Sequence, residues 1–249
     1  MKPYALIFAA GLGTRLKPLT DTMPKALVPV EGVPLLERVI LRLKEAGYDH
    51  IVVNAHHFAE QIIDFIEQKE SFGISIEISD ERDLLRETGG GIKHAAHLLK
   101  SDHFLVHNVD IISNLDLSLF EERYLEAERK YRDSEMPLIS TILVSERKTQ
   151  RFFLFDNHNN LVGWTNIVTG EVRSPFPGLN PDKCRKLSFA GIHNISERVF
   201  PLMEKWPDHF SIVDFYIANC NRFLIKGIEI SGLSIRDVGK ISDLKQLNC

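Results

Sequence analysis

Residues 5–30 read Ala5-Leu6-Ile7-Phe8, then Ala9-Ala10-Gly11-Leu12-Gly13-Thr14-Arg15-Leu16-Lys17-Pro18-Leu19-Thr20, then Asp21-Thr22-Met23-Pro24-Lys25-Ala26-Leu27-Val28-Pro29-Val30. The short apolar run predicts a buried strand, and Gly11 and Gly13 predict a turn where the strand ends. Such a turn leaves backbone N–H groups pointing at whatever sits above it. Arg15 and Lys25 add a guanidinium and an ammonium beside that nest, a combination that suits a polyphosphate. The anion-binding set read from this stretch is Ala9, Ala10, Gly11, Gly13, Thr14, Arg15 and Lys25.

The spacing excludes two familiar phosphate loops. A dinucleotide turn needs a third glycine where Leu16 stands, and no Gly-Lys-Ser/Thr occurs anywhere in the chain. The stretch resembles instead the opening signature of the sugar-1-phosphate nucleotidyltransferases, Gly-x-Gly-Thr-Arg-Leu-x-Pro-Leu-Thr-x-x-x-Pro-Lys, matched without a gap from Gly11 to Lys25. The resemblance implies Arg15 and Lys25 as the catalytic cations around a nucleoside triphosphate.

Outward from this point, strand and helix patterns alternate. Strands are predicted over 4–8, 51–54, 74–78 and 104–107, and helices over 34–46, 59–68, 91–99 and 117–132. Repeated βα units imply a Rossmann-like three-layer α/β/α fold with a mixed, mainly parallel central sheet. The second half is richer in strands, at 138–144, 152–155, 161–164, 187–192 and 225–230, with a helix over 210–220 and a short one from Ser242. Asp156-Asn157-His158-Asn159-Asn160 marks a hairpin loop, and residues 169–187, with Pro175, Pro177, Gly178 and Pro181, read as one long surface loop. A single domain over 1–249 is expected, with a nucleotide half at 1–135 and a sugar half at 136–249. The left-handed β-helix that often follows in relatives is not expected.

Bulk properties point to small-ligand chemistry. The 30 basic and 34 acidic residues give a net charge of −4, unlike a surface that tracks a nucleic-acid backbone. No segment has the roughly 18 apolar residues of a membrane span, and the opening Met1-Lys2-Pro3-Tyr4 does not resemble a signal peptide. Cys184, Cys220 and Cys249 are few and scattered, which suits a reducing cytoplasm. His56 and His57 lie beyond a strand, where they could touch the nucleotide or sugar. His94 and His97 stand one helical turn apart with no acidic third ligand, so the histidines predict no metal set.

Asp110 follows an apolar strand, and a carboxylate there lies over the crevice where α/β sheets bind ligands. A hard oxygen suits Mg²⁺, although the residue alone fits an aspartate opening a turn equally well. The family carries Asn/Asp-Gly-Asp at this point, and Asn108-Val109-Asp110 departs from it at Val109. Asp237 in Ile235-Arg236-Asp237-Val238-Gly239 resembles the family's late Trp-x-Asp-Val/Thr-Gly segment, without its aromatic residue. The resemblance makes Asp110 and Asp237 the two ligands of one Mg²⁺.

Glu87-Thr88-Gly89-Gly90-Gly91-Ile92 puts glycines ahead of a predicted helix, where backbone can approach a flat ligand and the first amides are exposed. It looks like the family's Gly-Thr-Gly/Ala-Gly segment, which implies Thr88 and Gly89 at the nucleotide and Gly90 at the sugar. Its form is closest to enzymes acting on N-acetylmuramate 1-phosphate and mannose 1-phosphate. Phe189-Ala190-Gly191-Ile192 resembles the strand lining the sugar pocket, implying Gly191 and Asn108 as sugar contacts. Where relatives carry Glu-Lys-Pro, its lysine holding the sugar's phosphate, this chain has Trp164-Thr165-Asn166. Lys183, Arg185 and Arg173 are the nearby substitutes, and metal with Lys25 is the other. Residues 80–86 are expected to face the base without matching any one base.

The reaction implied joins a nucleoside triphosphate, UTP or GTP, to a hexose 1-phosphate and releases pyrophosphate. A monomer or homodimer with small-molecule substrates, no nucleic acid and no membrane is expected. Three alternatives stand: a cytidylyltransferase acting on choline phosphate, a glycosyltransferase using a ready-made nucleotide sugar, and a non-catalytic regulatory homologue.

Overall fold

A computed structural model describes residues 3–247, so Cys249 lies outside the described residues. The first half runs β1 (Tyr4–Phe8), β2 (Pro29–Val30), β3 (Val33–Pro34), α1 (Leu35–Glu45), β4 (His50–Ala55), α2 (Ala59–Gln68), β5 (Ser75–Asp80), α3 (Glu87–Ala95), β6 (His103–Asn108), β7 (Ile111–Ser113) and α4 (Leu117–Tyr131). The second half runs β8 (Leu138–Ser145), β9 (Arg151–Phe155), β10 (Leu161–Asn166), β11 (Glu171–Arg173), β12 (Arg185–Ser196), α5 (Val199–Met203), α6 (Ile212–Asn219), β13 (Leu224–Ile228), β14 (Ile235–Asp237) and α7 (Ile241–Leu247).

One mixed sheet organises the molecule. Its order is β11-β10-β9-β12-β6-β1-β4-β5, and β8 pairs with β12 and β13. The strands β6, β1, β4 and β5 pair in parallel, while β12 is antiparallel to β6, β8 and β9. Successive side chains of β1 point to opposite faces. Ala5 and Ile7 enter a core with α1, α2 and α4, and Tyr4 and Leu6 enter a second with α3, α5 and α6. Two cores, one on each face of the sheet, make the three layers.

Local chemistry sets the helix ends. In α1 the buried Leu35, Leu36, Val39, Ile40 and Leu43 form a single stripe. The helix stops at Gly47, with φ +85°, where Tyr48 N–H donates to the Leu43 carbonyl and Gly47 N–H to Lys44. Asp116 caps α4 by accepting from Leu119 N–H at 3.0 Å, and Ser211 caps α6 by accepting from Val213 N–H at 3.2 Å.

Two segments differ from the sequence reading. Residues 169–187 are not one loop: Gly170 turns the chain into β11, which pairs with β10, and β12 already begins at Arg185. The helix placed at 91–99 starts at Glu87, so the three glycines lie inside α3 rather than ahead of it. No helix of the described residues is long and apolar enough to cross a membrane.

Candidate active site

The carboxyl ends of the parallel strands open onto a cleft of about 420 Å³, where such sheets bind ligands. Its walls include Ala9 to Arg15, Lys25, Thr88, Asn108 and Asp110, and the far rim is Gly239.

Asn54, at the end of β4, shapes the loop after β1. Its buried side-chain oxygen accepts from Ala9 N–H at 2.7 Å and Ala10 N–H at 3.1 Å, and its Nδ2 donates to Glu81 Oε1 at 2.8 Å. The amides of Ala9 and Ala10 are therefore spent on the protein, which corrects the expectation that they face a ligand. Gly11, Leu12 and Gly13 donate no backbone hydrogen bond among the described residues. Those are the amides available to an anion. Gly13 has φ +63°, and a Cβ there would lie 2.8 Å from Thr20 Cγ2 and 3.1 Å from Lys25 Cβ. Only glycine lets the loop lie so close to Lys25.

Lys25 is 8% exposed and its Nζ ion-pairs with Asp110 Oδ2. The Asp110 carbonyl accepts from Val238 N–H at 2.8 Å, tying the loop after β6 to the end of β14. Asp237 closes β14 opposite Ile111 of β7. A Cβ on Gly239 would sit 2.9 Å from Asp237 Oδ1 and 3.0 Å from Arg15 Nη2, so arginine and carboxylate meet across that glycine. Burial, and then the charge of Asp110, raise the Asp237 carboxyl above the usual range, while Lys25, Arg147 and Arg15 pull it down. The two cations and two carboxylates, more than 200 residues apart at the extremes of the sequence, share one place.

The carboxylates suit a hard divalent cation. Asp237 Oδ1 is buried without a hydrogen-bond partner, an oxygen left for something other than protein. Beside it stands Asp110, ion-paired with Lys25, and two carboxylates plus phosphate oxygens are what Mg²⁺ prefers.

The glycines of α3 do different work from that expected. Gly89 and Gly90 N–H both donate to the Phe210 carbonyl, at 2.8 and 3.1 Å. A Cβ on Gly89 would fall 2.3 Å from Phe210 Cε2, and one on Gly90 2.2 Å from the Asp208 carbonyl oxygen. Their amides are taken and neither residue lines the cleft. Close approach of the chain entering α6 explains them. Thr88 does line the cleft, with its hydroxyl accepting from Ile212 N–H at 2.9 Å. Gly191, with φ +75°, is buried behind the wall, and a Cβ there would come within 2.6 Å of Asn108 Nδ2. It positions Asn108 rather than reaching the cleft.

From residues 80–86, Glu81 and Leu85 line the cleft. Burial pushes the Glu81 carboxyl up, countered by its hydrogen bond from Asn54. Arg82 turns outward to Asp80 and Glu60, while the buried Arg86 pairs with Asp83. His56 Nδ1–H donates to the Glu81 carbonyl at 2.6 Å, and His94 Nε2–H to the Asp80 carbonyl at 2.9 Å. Neither faces the cleft, nor do the three substitutes for the missing lysine. Arg185 pairs with Glu229, and Arg173 with Asp214 under a cation–π contact of 4.2 Å to Trp164. Lys183 stands on an exposed turn. The structure adds Asn54, which the sequence reading missed; its signal was a polar residue ending the apolar run Ile51-Val52-Val53.

Over 110 residues the chain is 46% identical to the N-acetylmuramate alpha-1-phosphate uridylyltransferase of Caulobacter vibrioides, covering 43% of this chain and 46% of that protein. The enzyme of the same name from Neisseria meningitidis is 42% identical over 114 residues, covering 46% and 49%. The alignments thus span about half the length of each of these relatives. Two solved structures share the fold across nearly the whole chain. HddC from Yersinia pseudotuberculosis has a TM-score of 0.74 at 22% identity, covering 99% and 98% of the two chains. UDP-glucose pyrophosphorylase from Acinetobacter baumannii has 0.76 at 19%, covering 100% and 92%. With residues 4–153 matching the family model for nucleotidyl transferases, this chain belongs to that family.

Proposed function

We propose that the protein transfers a nucleotidyl group from a nucleoside triphosphate to a sugar 1-phosphate and releases pyrophosphate. The observation that carries this reading is the convergence of Arg15, Lys25 and Asp110 on one cleft, with Asp237 meeting Arg15 across Gly239 at its edge. A phosphate oxygen of the sugar 1-phosphate attacks the α-phosphorus in line. A new P–O bond forms, the bond to the β-phosphate oxygen breaks, and its electrons leave with pyrophosphate. The obstacle is repulsion between two anions, so the protein's work is alignment and charge.

Each residue then has a task. The amides of Gly11 to Gly13 cradle the triphosphate, and Arg15 neutralises the departing pyrophosphate. Lys25 bridges the α-phosphate and the incoming oxygen, leaving its partner Asp110 as charge is rearranged around it. Asp110 and Asp237 would hold Mg²⁺, which when bound supplies positive charge to the phosphoryl oxygens. Thr88 and Glu81, which line the same cleft, are assigned to the nucleoside.

The two N-acetylmuramate 1-phosphate uridylyltransferases among the relatives favour UTP and that sugar phosphate as the first pair. A mannose-1-phosphate guanylyltransferase of Mycobacterium tuberculosis, 33% identical over 114 residues, supports GTP and mannose 1-phosphate as the second. A cytoplasmic setting belongs to this reading, with Cys184 and Cys220 both unpaired. The test is pyrophosphate release with each triphosphate against both sugar phosphates, glucose 1-phosphate and choline phosphate. Turnover with a sugar phosphate is expected. Turnover only with CTP and choline phosphate, or none with any pair, overturns the reading.

A further inference from the structure

Glu87 opens α3 with φ +58°, in the left-handed region where a side chain is strained and glycine is not. Glycine stands at this place in the family segment that Glu87-Thr88-Gly89 resembles. Hydrogen bonds on both sides impose the turn: Phe210 N–H donates to the Arg86 carbonyl at 3.3 Å, and Gly89 N–H to the Phe210 carbonyl at 2.8 Å. A glycine would make the same turn without the strain, so the backbone gives no reason for a glutamate. Of the non-glycine residues with positive φ among the described residues, Glu87 is the one that lines the cleft. Strain kept at a ligand site points to work for the side chain.

Its carboxylate is free for that work. The nearest charged partner is His209, with Nε2 at 3.7 Å from Glu87 Oε1, beyond hydrogen-bond reach. His209 Nδ1–H donates to the Leu85 carbonyl at 2.7 Å, so in the neutral ring Nε2 has no hydrogen to give. Glu81, on the same wall of the cleft, is wholly buried, whereas the Glu87 side chain is 49% exposed and stands at the rim.

An ionised carboxylate accepts hydrogen bonds and repels phosphate. Arg15, Lys25 and the open amides of Gly11 to Gly13 suit the phosphates, which leaves Glu87 an uncharged part of the ligand. A flat base fits the apolar surfaces of Phe8 and Leu85 deeper in the cleft. Vicinal hydroxyls, which stay close to water, match a carboxylate at the rim, as acidic residues take up ribose in other nucleotide sites.

We propose that Glu87 reads the ribose, its carboxylate accepting from the 2′- and 3′-hydroxyls and so selecting ribonucleoside triphosphates over 2′-deoxy ones. This rests on the nucleotidyl-transfer reading of the cleft.

UTP, GTP and their 2′-deoxy counterparts are titrated, with Mg²⁺ and no acceptor, into the parent, Glu87→Gly and Glu87→Gln. The parent is expected to bind a ribonucleotide on the order of 10-fold more tightly than its 2′-deoxy form, the worth of a hydrogen bond to a charged group. Glu87→Gly is expected to bring that ratio within about twofold, losing affinity for the ribonucleotide alone, because the two deletions remove the same contact. The Tm of Glu87→Gly is expected to be no lower than the parent's, since glycine relieves the strain, so its weaker binding is not misfolding. Glu87→Gln, which keeps one acceptor oxygen, is expected to keep part of the ratio. No ribose preference in the parent, an unchanged ratio in Glu87→Gly, or an equal loss for both forms overturns the assignment. So does a loss seen only in the KM of the sugar 1-phosphate, which would give the carboxylate to the hexose hydroxyls. Triphosphate binding without pyrophosphate release overturns nucleotidyl transfer alone, and the ratio still decides Glu87. No triphosphate binding by the parent overturns both.

Discussion

Lys25 and Asp110 form an ion pair in the cleft, and the proposed reaction gives each charge a task. Under that proposal Lys25→Ala removes a cation from the transferring phosphoryl group, and Asp110→Ala removes one of the two carboxylates that would hold the metal. Either change is expected to lower turnover by on the order of a hundredfold or more, read as pyrophosphate release; near-parental turnover would refute the role. Asp237 invites a different measurement. Its Oδ1 is buried with no partner, so the free protein carries an uncompensated desolvation cost there. Asp237→Asn is expected to abolish turnover while leaving the metal-free protein at least as stable as the parent in thermal unfolding. Marked destabilisation would mean that the carboxylate is satisfied structurally. That Arg15, Lys25, Asp110 and Asp237 come together was legible because each falls on a residue of the family signatures this chain resembles. Asn54 was not: its value lies in accepting two amides from the loop after β1, 45 and 44 residues away, and no local pattern reports that.

At the level of elements, the strand–helix alternation of the first half was readable from apolar periodicity, and α2 falls on the residues predicted. The misreadings have specific causes. Glycine disfavours a helix interior, so Gly89, Gly90 and Gly91 looked like a loop. Gly89 and Gly90 are tolerated because the chain at 208–210 crosses too close for any side chain, and a Cβ on Gly91 would sit 3.0 Å from Glu81 Oε1. Gly90→Ala should therefore defy helix propensity: a methyl 2.2 Å from the Asp208 carbonyl forces the first turn of α3 away from α6. A loss of roughly 1–3 kcal/mol in urea unfolding is expected, as for other overpacked sites. A stabilised Gly90→Ala would show that the approach is not tight. Strand β11 escaped for the opposite reason. Glu171 and Arg173 on a short edge strand look like loop residues, since edges favour charge.

Across the whole molecule, the buried polar groups set the response to acid. His193 is buried between the sheet and α6, with Nδ1 2.6 Å from the Tyr216 hydroxyl, and burial holds its pKa down at about 3. The unfolded chain protonates this residue near pH 6.5, and the folded one does not until about 3. Its contribution is thus whole above the unfolded value and declines as pH falls through the window between the two. At pH 5 the loss is about 2 kcal/mol relative to neutral pH. His193→Gln should lose correspondingly less stability between pH 7 and pH 5 in urea unfolding; parallel declines would disprove the linkage. A division at residue 135 described the order of motifs better than it describes the body of the protein. Strand β12 bonds to β9 through residues 185–187 and to β6 through residues 192–196, so a single backbone splints strands from both halves of the chain. Clamshell motion between the two would tear that ladder apart. Exchanging residues 136–249 between relatives is therefore expected to give a folded protein only when β12 travels with its partners β6 and β9.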